Sequence, residues 1–204
     1  MIKTKICGLK TKEDIVFAAS CGVDLLGFVF VKRHRHYIEP ETLRSVVPFI
    51  PKAIKKVGIF INEDIKIVKE IVERCGLDFV QLHGDETRDY CRQVAKFCQV
   101  IKACKVPVSA SLDETRKQMR GYPARYFVLD RASQGEGASV RQDIARAVAL
   151  EVKIFLAGGL TPDNVSAKAR FIQPFGVDVS SGIETDGKTD KEKMRQFIRE
   201  AQYA

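Results

Sequence analysis

Short apolar runs alternate with amphipathic segments along the whole chain. The apolar runs have the length and residue types of buried strands, and they predict strands over 2–7, 25–30, 53–60, 78–82, 100–103, 126–130, 152–157 and 176–179. The amphipathic segments have helical spacing, and they predict helices over 12–21, 40–47, 63–75, 86–97, 112–119, 140–150, 162–170 and 190–202. The pattern therefore predicts strands and helices in strict alternation.

Residues at the ends of several predicted helices favour these boundaries. Thr11, Ser111 and Thr161 stand where an N-cap side chain accepts a hydrogen bond from the first helical turn. Gly76 follows the helix over 63–75, at a position where glycine commonly ends a helix. The apolar residues of that helix share one face, which we expect to be buried: Ile65, Val68, Ile71 and Val72.

The alternation determines the expected fold class. Eight β/α units in 204 residues leave about 25 residues for each unit. Strands that are apolar on both faces are typical of parallel sheets covered by helices. We therefore expect an α/β protein with one domain over residues 1–204, a single compact (β/α)8 TIM barrel. A doubly wound open sheet is the alternative, although the G-x-G-x-x-G motif that favours it is absent after the first strand.

Composition is that of an ordinary folded domain. Hydrophobic residues make up 45% of the chain and charged residues 29%. No apolar run approaches the roughly 18 residues that span a bilayer. The first residues lack the apolar stretch of a secretory signal. We therefore expect a cytoplasmic protein without a membrane partner.

The charge of the chain points to an anionic ligand. The formal net charge is +8, and the densest basic cluster is the run over 32–36, which reads KRHRH. Nucleic-acid sites add stacking aromatic residues to such a cluster, but only Tyr37 follows here and the chain has no Trp. A small phosphorylated substrate is therefore the expected partner, and nucleic acid is not.

The six cysteines show neither a C-x-x-C pair nor metal-ligand spacing with histidine, so no metal site or disulfide framework is expected. Four cysteines in predicted helices are interpreted as small buried hydrophobic residues: Cys21, Cys75, Cys91 and Cys98. Cys7 differs from them because it ends the first predicted strand.

Small residues follow the last two predicted strands, where barrels often bind phosphate. They are Gly158, Gly159, Ser180, Ser181 and Gly182. Glycines let the backbone approach phosphate oxygens, and backbone N–H groups and serine hydroxyls donate hydrogen bonds to them. We therefore expect a phosphate-binding site here. The alternative is that these glycines only form tight turns.

Cys7 and Asp130 end the first and sixth predicted strands, so both are expected at the mouth of the barrel. A thiolate accepts a proton and a carboxylic acid donates one, which suits an isomerase. Neither a metal nor a nicotinamide motif accompanies them. The alternatives are a core thiol for Cys7 and a helix N-cap for Asp130.

The chain resembles the phosphoribosylanthranilate isomerase family of tryptophan biosynthesis. The matching segments are KICGL at 5–9, GFVF at 27–30, VQLHGDE at 80–86, VLD at 128–130, Gly135 and Gly137, LAGGLTPDNV at 156–165, VDVSSGIE at 177–184 and GKTD at 187–190. They cover nearly the whole chain in the family's order. The glycine loops are shared with other phosphate-binding barrels, whereas KICG together with QLHG and VDVSSGIE is much more specific.

The resemblance implies an Amadori rearrangement of N-(5′-phosphoribosyl)anthranilate to 1-(2-carboxyphenylamino)-1-deoxyribulose 5-phosphate without a cofactor. The family's general acid falls on Asp130, which would protonate the ribose ring oxygen, and its general base falls on Cys7, which would remove the C2′ proton. The GGL and SSG loops would hold the phosphate, and Gln81 and His83 would line the cavity. The family includes monomers and homodimers.

Two departures from the family pattern lie beside this site. The family's usual arginine after the second strand, which pairs with the anthranilate carboxylate, is replaced by His36, so Arg35 or Arg33 is expected to help bind that carboxylate. After Gly137 the family often has Phe-Asp-Trp, whereas residues 140–142 read VRQ. These departures leave two alternatives: a sugar-phosphate isomerase with an altered substrate and an inactive phosphate-ligand binder. A nucleic-acid binder is a further alternative, on the basic charge alone.

Overall fold

The computed structural model describes residues 1–107, 109–131 and 141–204, and within them the parallel strands close into a barrel. The barrel strands are β1 Lys3–Cys7, β2 Leu25–Val29, β3 Lys55–Phe60, β4 Phe79–Leu82, β5 Gln99–Val106, β6 Tyr126–Arg131, β7 Ile154–Leu156 and β8 Gly176–Val179. Strand β1 pairs on both sides, with Lys5 opposite Leu25 of β2 and Asp178 of β8. The predicted barrel is therefore confirmed, and the open sheet is wrong because that fold leaves edge strands unpaired.

The helices surround the barrel in the predicted order. They are α1 Lys12–Ser20, α2 Pro40–Val46, α3 Ile65–Cys75, α4 Arg88–Val94, α5 Leu112–Met119, α6 Gln142–Ala149, α7 Val165–Ile172 and α8 Lys191–Gln202. Short 3₁₀ helices cover Val47–Phe49 and Ser181–Ile183, and a small hairpin pairs β9 Glu184–Thr185 with β10 Lys188–Thr189. Gly135, Gly137 and the predicted helix start at Val140 lie outside the described residues.

Helix caps explain where several helices begin. The Thr11 side chain accepts a hydrogen bond from the Asp14 N–H, and Ser111 forms a reciprocal capping box with Glu114. Gly76 ends α3 with a φ of +59°. These three predictions are confirmed.

The predicted cap at Thr161 is wrong. Helix α7 begins at Val165, and Asn164 is the residue before it. The Asn164 side-chain oxygen accepts a hydrogen bond from the Thr161 N–H at 3.0 Å, which closes residues 161–164 into a turn. The Thr161 carbonyl oxygen accepts hydrogen bonds from the Asn164 and Val165 N–H groups, so the turn leads directly into a helix that begins three residues later than predicted.

The barrel interior follows the period of two along each strand. Its apolar part is filled by Leu25, Val29, Val57, Ile59, Phe79, Ile101, Ala103, Val128, Phe155 and Ala157. Aromatic rings pack where the strands begin, with centroids 4.7 Å apart for Tyr126 and Phe175 and 5.5 Å apart for Phe155 and Phe175. Polar inward residues are therefore concentrated toward the opposite end, where the strands finish.

A second apolar layer fills the space between the strands and the helices. Outward residues of the strands, such as Ile6 and Leu82, pack in it together with the buried face of α3. Val68, Ile71 and Val72 are buried there as predicted, whereas Ile65 is only partly buried. Burying such a side chain contributes about 1.5–3 kcal/mol, so this layer holds the barrel in shape beneath its polar mouth. No helix within the described residues is long and apolar enough to cross a bilayer.

Candidate active site

A cavity of about 340 Å³ opens where the strands end. The residues predicted from the sequence all line it: Cys7, Arg35, His36, Gln81, His83, Asp130, Gly158, Gly159, Ser180, Ser181 and Gly182. Since β1, β4, β6, β7 and β8 contribute to one cavity, the barrel brings together residues that are far apart in the chain. Arg33 is exposed and does not belong to this lining.

Cys7 is the last residue of β1 and is half-buried at the cavity wall. Burial raises the pKa of the Cys7 thiol to about 11, and the nearby Lys5 ammonium opposes this rise. Gly27 of β2 lies beside the thiol: a Cβ atom added there would stand 2.9 Å from Cys7 Sγ. The glycine therefore leaves room for the sulfur to face the cavity.

Asp130 lies inside β6, so it is not a helix N-cap. Its Oδ1 accepts a hydrogen bond from the Arg131 N–H at 2.8 Å, and its Oδ2 lies 3.5 Å from His83 Nε2. The side chain remains 27% exposed, which leaves the carboxyl accessible from the cavity. A carboxyl held in this way can exchange a proton with a bound substrate.

Gln81 and His83 are neighbours on the inner face of β4 and its C-terminal extension. Gln81 is buried, and its Nε2 lies 3.1 Å from His83 Nδ1. With the amide placed in this way, Nδ1 accepts the hydrogen bond and the ring directs Nε2–H toward Asp130. The Gln81 Oε1 has no hydrogen-bond partner among the described residues. Gln81 therefore orients His83, which in turn faces the carboxyl of Asp130.

The two predicted phosphate loops meet at one side of the cavity. Gly158 and Gly159 have φ angles of +80° and +70°, which glycine adopts without strain. A Cβ atom added at Gly182 would lie 1.8 Å from the Leu160 carbonyl oxygen, so only glycine fits where the loops touch. The bare backbone at these positions leaves N–H groups open to an anion, as a phosphate site requires.

The basic loop after β2 is tied to Glu184. Each Glu184 carboxylate oxygen lies 2.8 Å from a nitrogen atom, one from Arg35 Nη2 and the other from His36 Nε2. His36 Nδ1 also lies 3.2 Å from the Ser180 hydroxyl. Burial and the neighbouring Arg35 lower the pKa of His36, while Glu184 acts in the opposite direction. The loop is therefore held against the SSG turn by the Arg35–Glu184 ion pair and by the contacts of His36 with Glu184 and Ser180, none of which the sequence predicted.

Several polar residues of the site were missed in the sequence. Lys5 and Asp178 form a buried ion pair of 2.8 Å at the floor of the cavity, and Lys105 and Arg131 also contribute to its lining. The available signal was a charged residue inside an otherwise apolar strand: Lys5 stands two positions before Cys7, on the same face. No group of three or more potential metal-ligating side chains occurs in the part of the chain that the structure describes.

Residues 4–200 match the family model described as N-(5′-phosphoribosyl)anthranilate (PRA) isomerase. The chain belongs to this family. It is 42% identical over 204 residues to N-(5′-phosphoribosyl)anthranilate isomerase of Pelobacter propionicus, covering 98% of this chain and 95% of that one. It is also 42% identical to the Trichlorobacter lovleyi isomerase, with both chains fully covered.

Solved structures of the family agree with this membership. Phosphoribosyl anthranilate isomerase from Thermotoga maritima superposes with a TM-score of 0.89 at 33% identity, covering 99% of each chain. A further isomerase structure, in complex with reduced 1-(o-carboxyphenylamino)-1-deoxyribulose 5-phosphate, has a TM-score of 0.86 at 32% identity and covers 99% of each chain. The isomerase function in tryptophan biosynthesis expected from the resemblance is thereby confirmed.

Proposed function

We propose that Cys7 and Asp130 are the base and the acid of the Amadori rearrangement in this chain. The observation that carries this assignment is their shared position in one cavity, above the glycine loops that follow β7 and β8. Asp130 protonates the ribose ring oxygen of phosphoribosylanthranilate, and the C1′–O bond breaks to give a Schiff base. The Cys7 thiolate then takes the C2′ proton, which produces an enolamine that tautomerises to the ketose.

We assign the substrate's two anionic groups to two parts of the cavity. The phosphate, with a charge of about −1.5 to −2, binds the backbone at Gly158, Gly159 and the 180–182 turn. The carboxylate binds toward Arg35 and His36, where it competes with Glu184 for the guanidinium. The net charge of +8 favours capture of such a substrate. The reaction is an internal oxidation and reduction, so it consumes no oxidant and requires no cofactor.

The assignment is tested by replacing the two residues. Phosphoribosylanthranilate is generated in situ, and the loss of its anthranilate-type fluorescence is followed. Cys7→Ser and Asp130→Asn should each lower kcat by about 10²–10⁴-fold, the range for a general acid or base. Near-wild-type turnover in either folded variant would remove the role assigned to that residue.

Carboxylate binding has its own matched pair of variants. Arg35→Gln should raise KM several-fold, whereas Arg33→Gln removes an equal charge outside the cavity and should leave KM unchanged. The contacts of Arg35 and His36 with Glu184 favour one second candidate, an isomerase for a related sugar phosphate that lacks the carboxylate. Equal turnover of a decarboxylated substrate analogue would support this second candidate.

We further propose that the enzyme acts in the cytoplasm, without nucleic acid, as a monomer or homodimer. Its substrate class and the scattered distribution of its basic residues support this reading. A Thermotoga maritima relative is described as dimeric. Sedimentation equilibrium determines the number of subunits, and nucleic-acid affinity with a steep salt dependence would contradict the proposal.

A further inference from the structure

We propose that Lys5 is a positioning residue whose positive charge stabilises the thiolate of Cys7, and that Asp178 holds Lys5 in place. The inference rests on the proposed role of Cys7 as the base. A thiolate is the form that accepts the C2′ proton, yet the burial of Cys7 favours the neutral thiol. A buried cation next to the sulfur stabilises this negatively charged form.

The geometry places the ammonium beside the sulfur. Lys5 and Cys7 are two positions apart in β1, so both side chains point into the barrel. Gly27 of the neighbouring strand faces both: a Cβ atom added there would lie 2.9 Å from Cys7 Sγ and 3.1 Å from Lys5 Nζ. The two groups therefore share the space that the glycine leaves open.

Asp178 keeps the ammonium at this place. Lys5 has no exposed surface, and its Nζ donates a hydrogen bond of 2.8 Å to Asp178 Oδ2. The attraction of Asp178, with that of Cys7, outweighs the burial that would discharge the amine and holds the pKa of Lys5 above its ordinary value. Lys5 therefore remains an ammonium throughout the reaction, and the proton from C2′ passes to the sulfur alone.

The charges that face the thiol come from different strands and have opposite effects. Lys5 on β1 lowers the pKa of Cys7, whereas Asp178 on β8 and Asp130 on β6 raise it. His83, after β4, acts on Asp178 rather than on the thiol. Removing Lys5 together with Asp178 should therefore still raise the pKa of Cys7, because the effect of Lys5 exceeds that of Asp178, and a merely structural role does not predict this.

One member of the pair, Asp178, reaches the cavity, while Lys5 is sealed beneath it. Asp178 lines the cavity, and its Oδ1 has no hydrogen-bond partner within residues 1–107, 109–131 and 141–204. A carboxylate that served only to neutralise Lys5 in the interior would normally have both oxygens bonded. The arrangement is that of a charged pair placed at the reacting centre.

The experiment measures the ionisation of Cys7 directly. The full chain is treated with iodoacetamide between pH 7 and 10, below the pKa of Cys7, where the rate of Cys7 modification is proportional to its thiolate fraction, and modification of the Cys7 peptide is quantified by mass spectrometry. Lys5→Met should lower this rate about tenfold or more at each pH, which corresponds to one pH unit in the pKa of Cys7, and should lower kcat at least tenfold. The peptide of the partly buried Cys98 in the same samples should keep its rate of modification.

A double variant protects the test against misfolding, because Lys5→Met leaves Asp178 without its partner. Lys5→Met/Asp178→Asn removes both charges at nearly constant volume, and it should also lower the rate of Cys7 modification because the effect of Lys5 is the larger. An unchanged rate in the folded double variant would overturn the proposal. Turnover by Cys7→Ser judges the catalytic role of Cys7 separately, since alkylation requires no isomerase activity.

Discussion

Two buried lysine–carboxylate pairs have different roles in this molecule. Lys5 and Asp178 meet at 2.8 Å inside the barrel, and Lys102 and Glu86 meet at 3.1 Å outside its wall, behind β5. All four side chains are almost entirely buried. Each pair also has a cysteine beside it, Cys7 for the first and Cys91 for the second. The two pairs thus use the same chemistry in different surroundings.

The pair behind β5 is fully hydrogen-bonded. Glu86 accepts hydrogen bonds from the Gly84 and Asn62 N–H groups as well as from Lys102. Lys102 also donates to the carbonyl oxygens of Leu82 and Gly84, at 3.2 and 2.7 Å. These contacts fasten the segment that carries His83 into the cavity. The pair therefore has a structural role, and Cys91 is sealed beside it with no exposed surface.

The pair inside the barrel is less completely bonded and faces the reacting centre. Asp178 Oδ1 has no partner among the described residues, and Cys7 opens onto the cavity. A saturated pair contributes by keeping its polar groups satisfied, whereas an unsaturated pair at a cavity can act on a ligand or on a neighbouring titratable group. Both pairs are buried, so the difference between their roles lies in how many of their polar atoms are hydrogen-bonded.

The largest effect is expected for Lys102→Met, which tests the structural role of the Lys102–Glu86 pair. The change leaves Glu86 buried without its charged partner and should lower the free energy of unfolding by about 3–5 kcal/mol. Turnover of the folded fraction should stay within about threefold of the parent, because Lys102 does not line the cavity that contains Cys7 and Asp130. Urea unfolding and the fluorescence assay measure the two quantities. A loss of unfolding free energy below about 1 kcal/mol, or a decrease in kcat like that of Lys5→Met, would show that the two pairs do not differ in role.

An intermediate effect is expected at alkaline pH. The pKa values of Cys7 and Cys91 are raised from 9.0 to about 11. The unfolded chain therefore loses these thiol protons first, so the free energy of unfolding should fall as pH rises from about 9 to about 11. Each buried thiol should contribute a slope of about 1.4 kcal/mol per pH unit.

The cysteine variants sharpen the comparison within that pH range. Cys91→Ala should reduce the slope of stability against pH in urea unfolding under reducing conditions, with no change in kcat at neutral pH. Cys7→Ala should reduce the same slope and also abolish turnover. An unchanged slope in Cys91→Ala would mean that this thiol does not titrate differently on unfolding.

The smallest expected effect provides the baseline for an exposed pair. Lys69 and Glu73 lie one turn apart on α3 at 3.8 Å, and both side chains are more than half exposed. Lys69→Gln should change the free energy of unfolding by about 0.5 kcal/mol or less, since water and salt screen such pairs. Urea unfolding at low and high salt checks this, and a loss above about 1 kcal/mol would show that burial is not what makes the Lys102 pair costly to break.

Local sequence patterns were sufficient to predict the strands, the helices and many residues of the site. The alternation of apolar and amphipathic segments predicts the barrel, since each strand carries its own hydrophobic run and each helix its own apolar face. Once a barrel is expected, residues at strand ends are expected to converge, which places Cys7 and Asp130 at one mouth. The helix caps at Gly76 and Ser111 were likewise predictable, because a helix cap depends on a few neighbouring residues.

Only the tertiary structure decided which distant polar groups meet. Lys5 and Asp178 are 173 positions apart and become partners because β1 pairs with β8 when the barrel closes. Arg35 reaches Glu184 across 149 positions, and Glu86 finds Lys102 through the neighbouring strand β5. The sequence by itself determined the repeating units and the residue types at their ends. The ion pairs that control the site depend on strand register and closure, which no local pattern of residues contains.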